Sequence, residues 1–341
     1  KLAENNAAVA DAALSQVFTR IAEQPPSQKN TQLLSALLPY YRMIARGKNL
    51  PESKVCEANA VIGECALRTG SYALAEEAFR NMMKFRKDAF PVNQLATALK
   101  KQGKDKEATE LFRQVADRFA MSERAEERFE TVRALLALSG SPESVERSRA
   151  FGMLETLLED EPDHPEYRFQ YAQLLAGNPR LFRERRIPGV EPNAAVLLLQ
   201  LADAHPERPE YGLALVELML KKLRYARNFR EHNQRELADT VNLSERLFGR
   251  WPNDPQIISG MVRLHARYIG ALRREGKDAW ARRESDRLQG ILEVLFYNPE
   301  ISDAVKESLI RLQLQRLKLL RHDGRSYEGA ELRKKISREL G

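Results

Sequence analysis

Two stretches of the chain, residues 62–82 and 95–115, carry the same residue classes in the same order, thirty-three residues apart. A repeat period of about 34 residues with this spacing predicts stacked helical hairpins. The alternative is an ordinary helical bundle with coincidental spacing, which is disfavoured because four residue classes repeat together. The matching pairs are Gly63 and Ala96, Gly70 and Gly103, Ala75 and Ala108, and Phe79 and Phe112.

Each repeated class has a physical role in a helical hairpin. The glycines fall where the first helix must end, and glycine adopts the left-handed conformation that a helix end favours. The alanines are small, so we expect a neighbouring helix to approach closely there. The phenylalanines are expected to fill the space between helices.

The composition indicates a core-forming chain without a membrane span. The 341 residues are 43% hydrophobic and 30% charged, and no run of eighteen apolar residues occurs. On one helix, Cys56 and Cys65 would lie roughly 13 Å apart, too far for a disulfide. Because the sequence opens on Lys1 and not on methionine, we expect a piece of a longer protein.

The charge is unevenly distributed. Residues 1–170 carry a net −1 and the remainder +8, with arginine clusters at 183–186, 224–230, 273–274 and 282–283. One interpretation is a basic surface for an acidic protein, a nucleic acid or a membrane face. The other, which we favour, is solvated helix faces where arginine alternates with acidic residues.

Beyond Pro162 the repeat lengthens. The motif that begins at Pro162 recurs at Pro206 and, more loosely, at Pro252, at intervals of 44 and 46 residues. In each motif the first proline is expected to end one helix and the second to begin the next. The extra length falls at Gly177–Pro192, predicted to be an inserted loop, and at the arginine-rich stretch Tyr225–Arg235.

Every long segment favours helix, and no alternating β-branched run predicts a strand. We therefore predict an all-α superhelix, a solenoid of about seven helical hairpins. Three regions are expected. They are a helical pair at 1–50, two regular repeats at 51–121, and irregular hairpins at 122–341 that end in a capping helix.

The two regular repeats resemble the tetratricopeptide (TPR) family, which implies a repeat array that binds partners. A longer resemblance rests on Leu34–Tyr41 (Leu-Ser-Ala-Leu-Leu-Pro-Tyr-Tyr), on the TPR unit and on His205–Tyr211 (His-Pro-Glu-Arg-Pro-Glu-Tyr). These motifs resemble the TPR-rich, non-catalytic region of bacterial eukaryotic-like serine/threonine kinases. That resemblance implies an extracytoplasmic module tethered to a membrane by a segment before Lys1; without it, a cytoplasmic location is expected.

No motif for chemistry is found. The glycine-rich loop, His-Arg-Asp and Asp-Phe-Gly motifs of kinases are missing, as are His-Glu-x-x-His and Cys-x-x-Cys. We therefore predict no catalytic residues, no metal and no cofactor in this chain.

The TPR resemblance implies that the first helix of each hairpin faces the binding groove. A protein or peptide is the expected partner. The alternatives are an extracytoplasmic sensory region of a transmembrane kinase and, ranked last, a nucleic-acid-binding repeat, because aromatics are sparse among the arginine clusters. The candidate partner-binding residues are Arg68, Asn93, Lys100, Lys101, Phe169, Gln173, Arg183, Arg185, Arg186 and Glu217.

Overall fold

The computed structural model is all-α, as the sequence predicts. It describes residues 28–47, 50–141, 143–177, 187, 189–225, 231–252, 254–296 and 329–334, and no strand occurs among them. Thirteen helices in this part of the chain are numbered in order. They are α1 (Gln28–Ala45), α2 (Glu52–Arg68), α3 (Tyr72–Met82), α4 (Ala89–Lys101), α5 (Asp105–Arg118), α6 (Ala125–Leu138), α7 (Val145–Asp160), α8 (Pro165–Gly177), α9 (Ala194–Ala204), α10 (Pro209–Tyr225), α11 (Glu231–Arg250), α12 (Pro255–Arg274) and α13 (Asp278–Phe296).

The chain divides into two compact units, residues 1–208 and 209–341. In the first unit, each helix from α1 to α8 packs against the next along the chain. The first helices of neighbouring hairpins also touch, α2 against α4 and α4 against α6. This nearest-neighbour packing is that of a helical-repeat array, and the predicted TPR-like hairpins at α2–α3 and α4–α5 are confirmed.

The residue spacing that the two hairpins share has the predicted physical basis. Gly70 and Gly103 follow the ends of α2 and α4 with φ of 75° and 79°, a conformation that favours glycine. Gly63 on α2 faces the fully buried ring of Phe79 on α3, and a Cβ at Gly63 would overlap that ring. Since the side chain is missing there, the two helices can approach closely.

Glu76 joins the first hairpin to the second. Its carboxylate on α3 accepts hydrogen bonds from Lys104 Nζ at 2.8 Å and from Gln102 Nε2 at 2.9 Å, at the turn between α4 and α5. Arg80 forms an ion pair with it at 2.9 Å. The hydrogen bond from Lys104 is the largest of the contacts that lower the pKa of Glu76 to about 2. The carboxylate therefore stays charged and links consecutive repeats.

The lengthened repeats begin as predicted, because the second proline of each motif opens a helix. Pro165, Pro209 and Pro255 are the first residues of α8, α10 and α12. The missing N–H of proline costs nothing at this position. Before α12, the carboxylate of Asp254 accepts hydrogen bonds from the backbone N–H groups of Gln256 and Ile257, each at 2.9 Å.

The second unit is organised around α12, which contacts α10, α11 and α13. Trp251 packs on Gly212, where a Cβ would overlap the indole ring. Arg267 on α12 donates to the main-chain oxygen of Leu220 on α10 at 2.8 Å. Gly260 on α12 also faces Val216 on α10, where a Cβ would overlap the valine side chain, so close approach and a charged hydrogen bond hold α10 and α12 together.

Several sequence predictions lie outside the described residues. These are the helix over 1–24, most of the insertion at 177–192 and most of the C-terminal hairpin after residue 302. Within the described part, Cys56 and Cys65 are buried free thiols, so the prediction of no disulfide is confirmed. Among the described helices, none combines the length and the apolar character needed to cross a membrane.

We expect Gly63→Ala to lower the free energy of unfolding by about 1–3 kcal/mol, because the new methyl group overpacks against the Phe79 ring. Gly152→Ala is the matched control: it lies inside α7 with no atom within 4 Å of the added Cβ. The control should be neutral or stabilising by up to about 1 kcal/mol, from helix propensity. Urea unfolding followed by circular dichroism measures both, and equal stability of the two variants would contradict the packing argument.

Candidate functional site

The first helices of four successive hairpins, α2, α4, α6 and α8, border one groove of about 550 Å³ in the first unit. We call it the inner groove. Its mainly apolar and aromatic lining is Ala60, Phe90, Phe129, His164 and Tyr167, and its charged lining is Arg86, Asp88, Arg124, Glu126, Glu127, Glu130, Arg133 and Glu166. The first helices thus face a groove, as the repeat geometry implies.

The start of α4 places Phe90 on the floor of the inner groove. The Asp88 carboxylate caps the helix by accepting the backbone N–H of Phe90 at 3.2 Å. Arg86 pairs with Asp88 at 2.6 Å, and its guanidinium lies 5.8 Å from the centroid of the Phe90 ring. Phe90 and Ala60 are only half-buried. Apolar surface on the floor therefore remains available to a ligand.

A row of contacting planar groups forms one wall, in which the Phe129 and Tyr167 rings meet at 52°. The Arg133 guanidinium lies 4.7 Å from the Phe129 ring, and the Phe129 ring lies 4.8 Å from that of Tyr167. The His164 imidazole stacks on Tyr167 at 3.7 Å, with 16° between the planes. Phe129 and Tyr167 are almost fully buried. Because each ring is held by its neighbours, this wall is rigid before any ligand arrives.

A polar chain of residues crosses three hairpins beside this wall. Asn93 on α4 donates to the main-chain oxygen of Glu130 at 3.1 Å and to its Oε2 at 2.5 Å. Arg133 pairs with Glu130 at 3.0 Å and lies 3.7 Å from Glu166 on α8. Arg208 pairs with Glu166 at 2.5 Å. Charge-assisted contacts of this kind fix the side chains that line the groove.

Two groups near the groove have shifted pKa values. Burial, and then the negative charges of Glu161 and Glu126, raise the pKa of Tyr167, so its phenol stays neutral. Burial also raises the pKa of Glu64 on α2, against the opposing effect of Arg68 and Arg133. Burial is thus the main cause of the raised pKa of Tyr167, and the two carboxylates add to it.

The candidates from the regular repeats lie near this groove without lining it. Asn93 is buried, with 4% of its surface exposed, so it positions Glu130 and cannot contact a partner directly. Lys100 is exposed and donates to the main-chain oxygen of Ala137 at 2.9 Å, where it satisfies the end of α6. Lys101 is exposed and Arg68 is half-buried at the end of α2.

The later candidates are dispersed. Phe169 is half-buried and Gln173 exposed on α8, and Gln173 accepts a hydrogen bond from Gln170 at 3.2 Å. Glu217 is exposed on α10, in the second unit. The predicted contacts at Arg183, Arg185 and Arg186 lie outside the described residues. Among the described candidates of the first unit, none lines the inner groove.

Sequence reasoning missed the aromatic residues that line the inner groove. Phe90, Phe129 and Tyr167 each lie in the first or second turn of a first helix. Their spacings of 39 and 38 residues follow neither the regular period nor the longer one. The signal that could have found them is an aromatic residue early in each first helix, counted from the helix start.

The second unit contains a separate buried cluster of charges. His265 on α12 is fully buried, with Nε2 at 3.2 Å from Glu245 Oε1 and Nδ1 at 2.9 Å from Glu284 Oε1. Neither oxygen lies along a ring N–H direction, so these contacts are ion pairs. Arg287 pairs with Glu245 and lies 3.9 Å from Glu284. The two carboxylates therefore sit between an imidazole and a guanidinium.

Proton binding by His265 balances this cluster. Burial lowers the pKa of His265, but the two carboxylates outweigh it and raise the pKa above its ordinary value. Burial raises the pKa of Glu245, but the contacts with His265 and Arg287 outweigh burial, so the pKa is lowered overall. Ligand atoms of Glu245, His265 and Glu284 lie within 4.8 Å of one another, close enough for a metal ion. With its imidazole protonated, His265 would join Arg287 in balancing the two carboxylates.

Comparison with known proteins gives only distant similarity. No family model and no curated protein sequence matches the chain. Among solved structures, the chain is similar to the C-terminal part of a TPR repeat-containing protein from Cytophaga hutchinsonii, with 10% identity, a TM-score of 0.40, and coverage of 82% of this chain and 96% of that one. It is also similar to a human IFIT1 dimer with m7Gppp-AAAA, with 14% identity, a TM-score of 0.28, and coverage of 92% and 74%.

The charge cluster predicts a pH-dependent stability of the second unit. Because the folded-state pKa of His265 is raised, its stabilisation is complete below about pH 6.5, the unfolded value, and is lost as the pH rises through the folded pKa. His265→Gln should remove this dependence and lower the free energy of unfolding by about 1–3 kcal/mol at the acidic end, since two partly buried carboxylates then face one cation.

Tryptophan fluorescence measures the effect in the second unit alone, because both tryptophans of the chain, Trp251 and Trp280, belong to it. The control is His205→Gln in the first unit, where the ring lies 3.3 Å from Glu207 and is partly exposed. An unchanged pH profile in His265→Gln would contradict the charged-imidazole assignment.

Proposed function

We propose that the chain is a non-catalytic helical-repeat scaffold that binds a segment of a protein or peptide partner in the inner groove. The observation that supports this most directly is the half-buried floor of Ala60 and Phe90 beside the buried, contacting rings of Phe129 and Tyr167. Four first helices contribute to it jointly. A preformed apolar surface of this kind provides an anchor for a partner side chain.

The size and organisation of the groove fit such a ligand. Its volume of about 550 Å³ falls within the range of roughly 300–1,000 Å³ common for ligand sites. Apolar surface at the floor supplies affinity, and the surrounding carboxylates and guanidiniums supply orientation. Because internal ion pairs hold these charges in place, a ligand loses little free energy in ordering them.

The resemblance to kinase-associated regions adds a finer proposal about context. On that proposal the scaffold is the extracytoplasmic sensory part of a transmembrane serine/threonine kinase. The sequence encoded upstream of Lys1 tests this proposal directly. A transmembrane segment preceded by a kinase domain is the expected result. An upstream sequence that encodes neither feature would contradict the proposal.

The binding proposal predicts peptides whose affinity depends on Phe90. A phage-displayed random-peptide library is selected on the full chain, and bound sequences are resynthesised for fluorescence anisotropy. Phe90→Ala should weaken binding by about tenfold or more, because truncation removes the floor of the anchor site. Ala60→Leu, which fills the same floor from α2, should weaken binding in the same direction.

Phe85→Ala is the matched control, since Phe85 is 42% exposed at the turn before α4 and does not line the groove. It should leave affinity unchanged. Binding that is indifferent to both Phe90→Ala and Ala60→Leu, with the variants folded by circular dichroism, would remove the groove as the binding site.

A further inference from the structure

The charges that line the inner groove do not balance. Five carboxylates and three guanidiniums belong to the lining, which leaves a charge of −2 with His164 neutral. Residues 1–170, which contain the groove, carry a net charge of −1, and the positive charge of the chain lies in the remainder. The groove is therefore an acidic site in the less basic part of the chain, and this bears on what it binds.

Each arginine of the groove lining forms an ion pair with a carboxylate of the same lining. Arg86 pairs with Asp88, and Arg124 lies 3.4 Å from Glu127. Arg133 pairs with Glu130, and Glu166 receives Arg208 from just outside the lining. Each guanidinium of the lining therefore already has a carboxylate partner within the groove.

Glu126 is the one carboxylate of the lining that takes no part in these ion pairs. It is exposed in the first turn of α6, and no ion pair to it is formed within the described residues. It lies near enough to Tyr167 to contribute to the raised pKa of that phenol. Glu126 lines the groove close to Tyr167, so a ligand cation that enters the groove there would meet its carboxylate.

Resting on the proposed function, we infer that the inner groove selects a partner segment in which a basic side chain, Arg or Lys, lies next to a bulky apolar one. The apolar side chain packs on Phe90 and Ala60. The basic side chain pairs with Glu126 at the edge of the wall. Charge complementarity of this kind sets specificity and association rate more than total affinity.

The same selected peptides test this inference. Those that depend on Phe90 should be enriched in Arg or Lys beside Leu, Ile, Phe or Trp. Glu126→Lys should weaken them by about tenfold at low salt, because it reverses a charge at the contact, and the effect should shrink at high salt. Glu126→Gln should have a smaller effect in the same direction. The exposed position of Glu126 keeps both variants folded, which circular dichroism verifies.

Glu110→Lys is the control, with the same charge change at an exposed position of α5 that does not line the groove. It should leave affinity unchanged. This inference would be overturned by Phe90-dependent peptides that are acidic or neutral, or whose affinity is unchanged by Glu126→Lys. The proposed function would remain supported in that case. If no selected peptide depends on Phe90 or Ala60, both fail together.

Discussion

The close approach of helices within each hairpin is the constraint on which the first unit depends. Gly63 has no side chain, and the Phe79 ring occupies the space that results. Since each helix also packs against the next, a change in separation at one hairpin would alter the position of its neighbours. The groove depends on this packing because Ala60 lies one turn from Gly63 on the same helix, and its floor moves with α2.

The fold was predictable because its signals are local. Glycines after helix ends, small residues at helix contacts and paired prolines at junctions each act within a few residues of the chain. The groove was less predictable because its parts come from four helices. Asn93 illustrates the difference. The repeat geometry places it on the groove side, but its amide donates a hydrogen bond to Glu130, which is distant in sequence, and the Asn93 side chain is buried there. Phe129 and Tyr167 become a pair only after α6 and α8 are placed side by side.

The two units use charge in different ways. In the first, ion pairs lie at the edge of an open groove and hold its walls for a ligand. In the second, Glu245 and Glu284 enclose His265 away from solvent, and the imidazole proton completes the balance. That cluster is difficult to predict from the sequence. Its members are separated by about twenty residues on three helices, and none of them belongs to a recognisable motif.

The polar chain from Asn93 through Glu130, Arg133 and Glu166 to Arg208 limits how this array can evolve. Repeat proteins commonly gain or lose whole hairpins, because each unit needs only its immediate neighbours. Here the loss of the α6–α7 hairpin would remove Glu130 and Arg133, the present partners of Asn93 and Glu166. A duplicated hairpin would separate them by the width of a repeat. A change in the number of hairpins at this place would therefore break the chain of contacts.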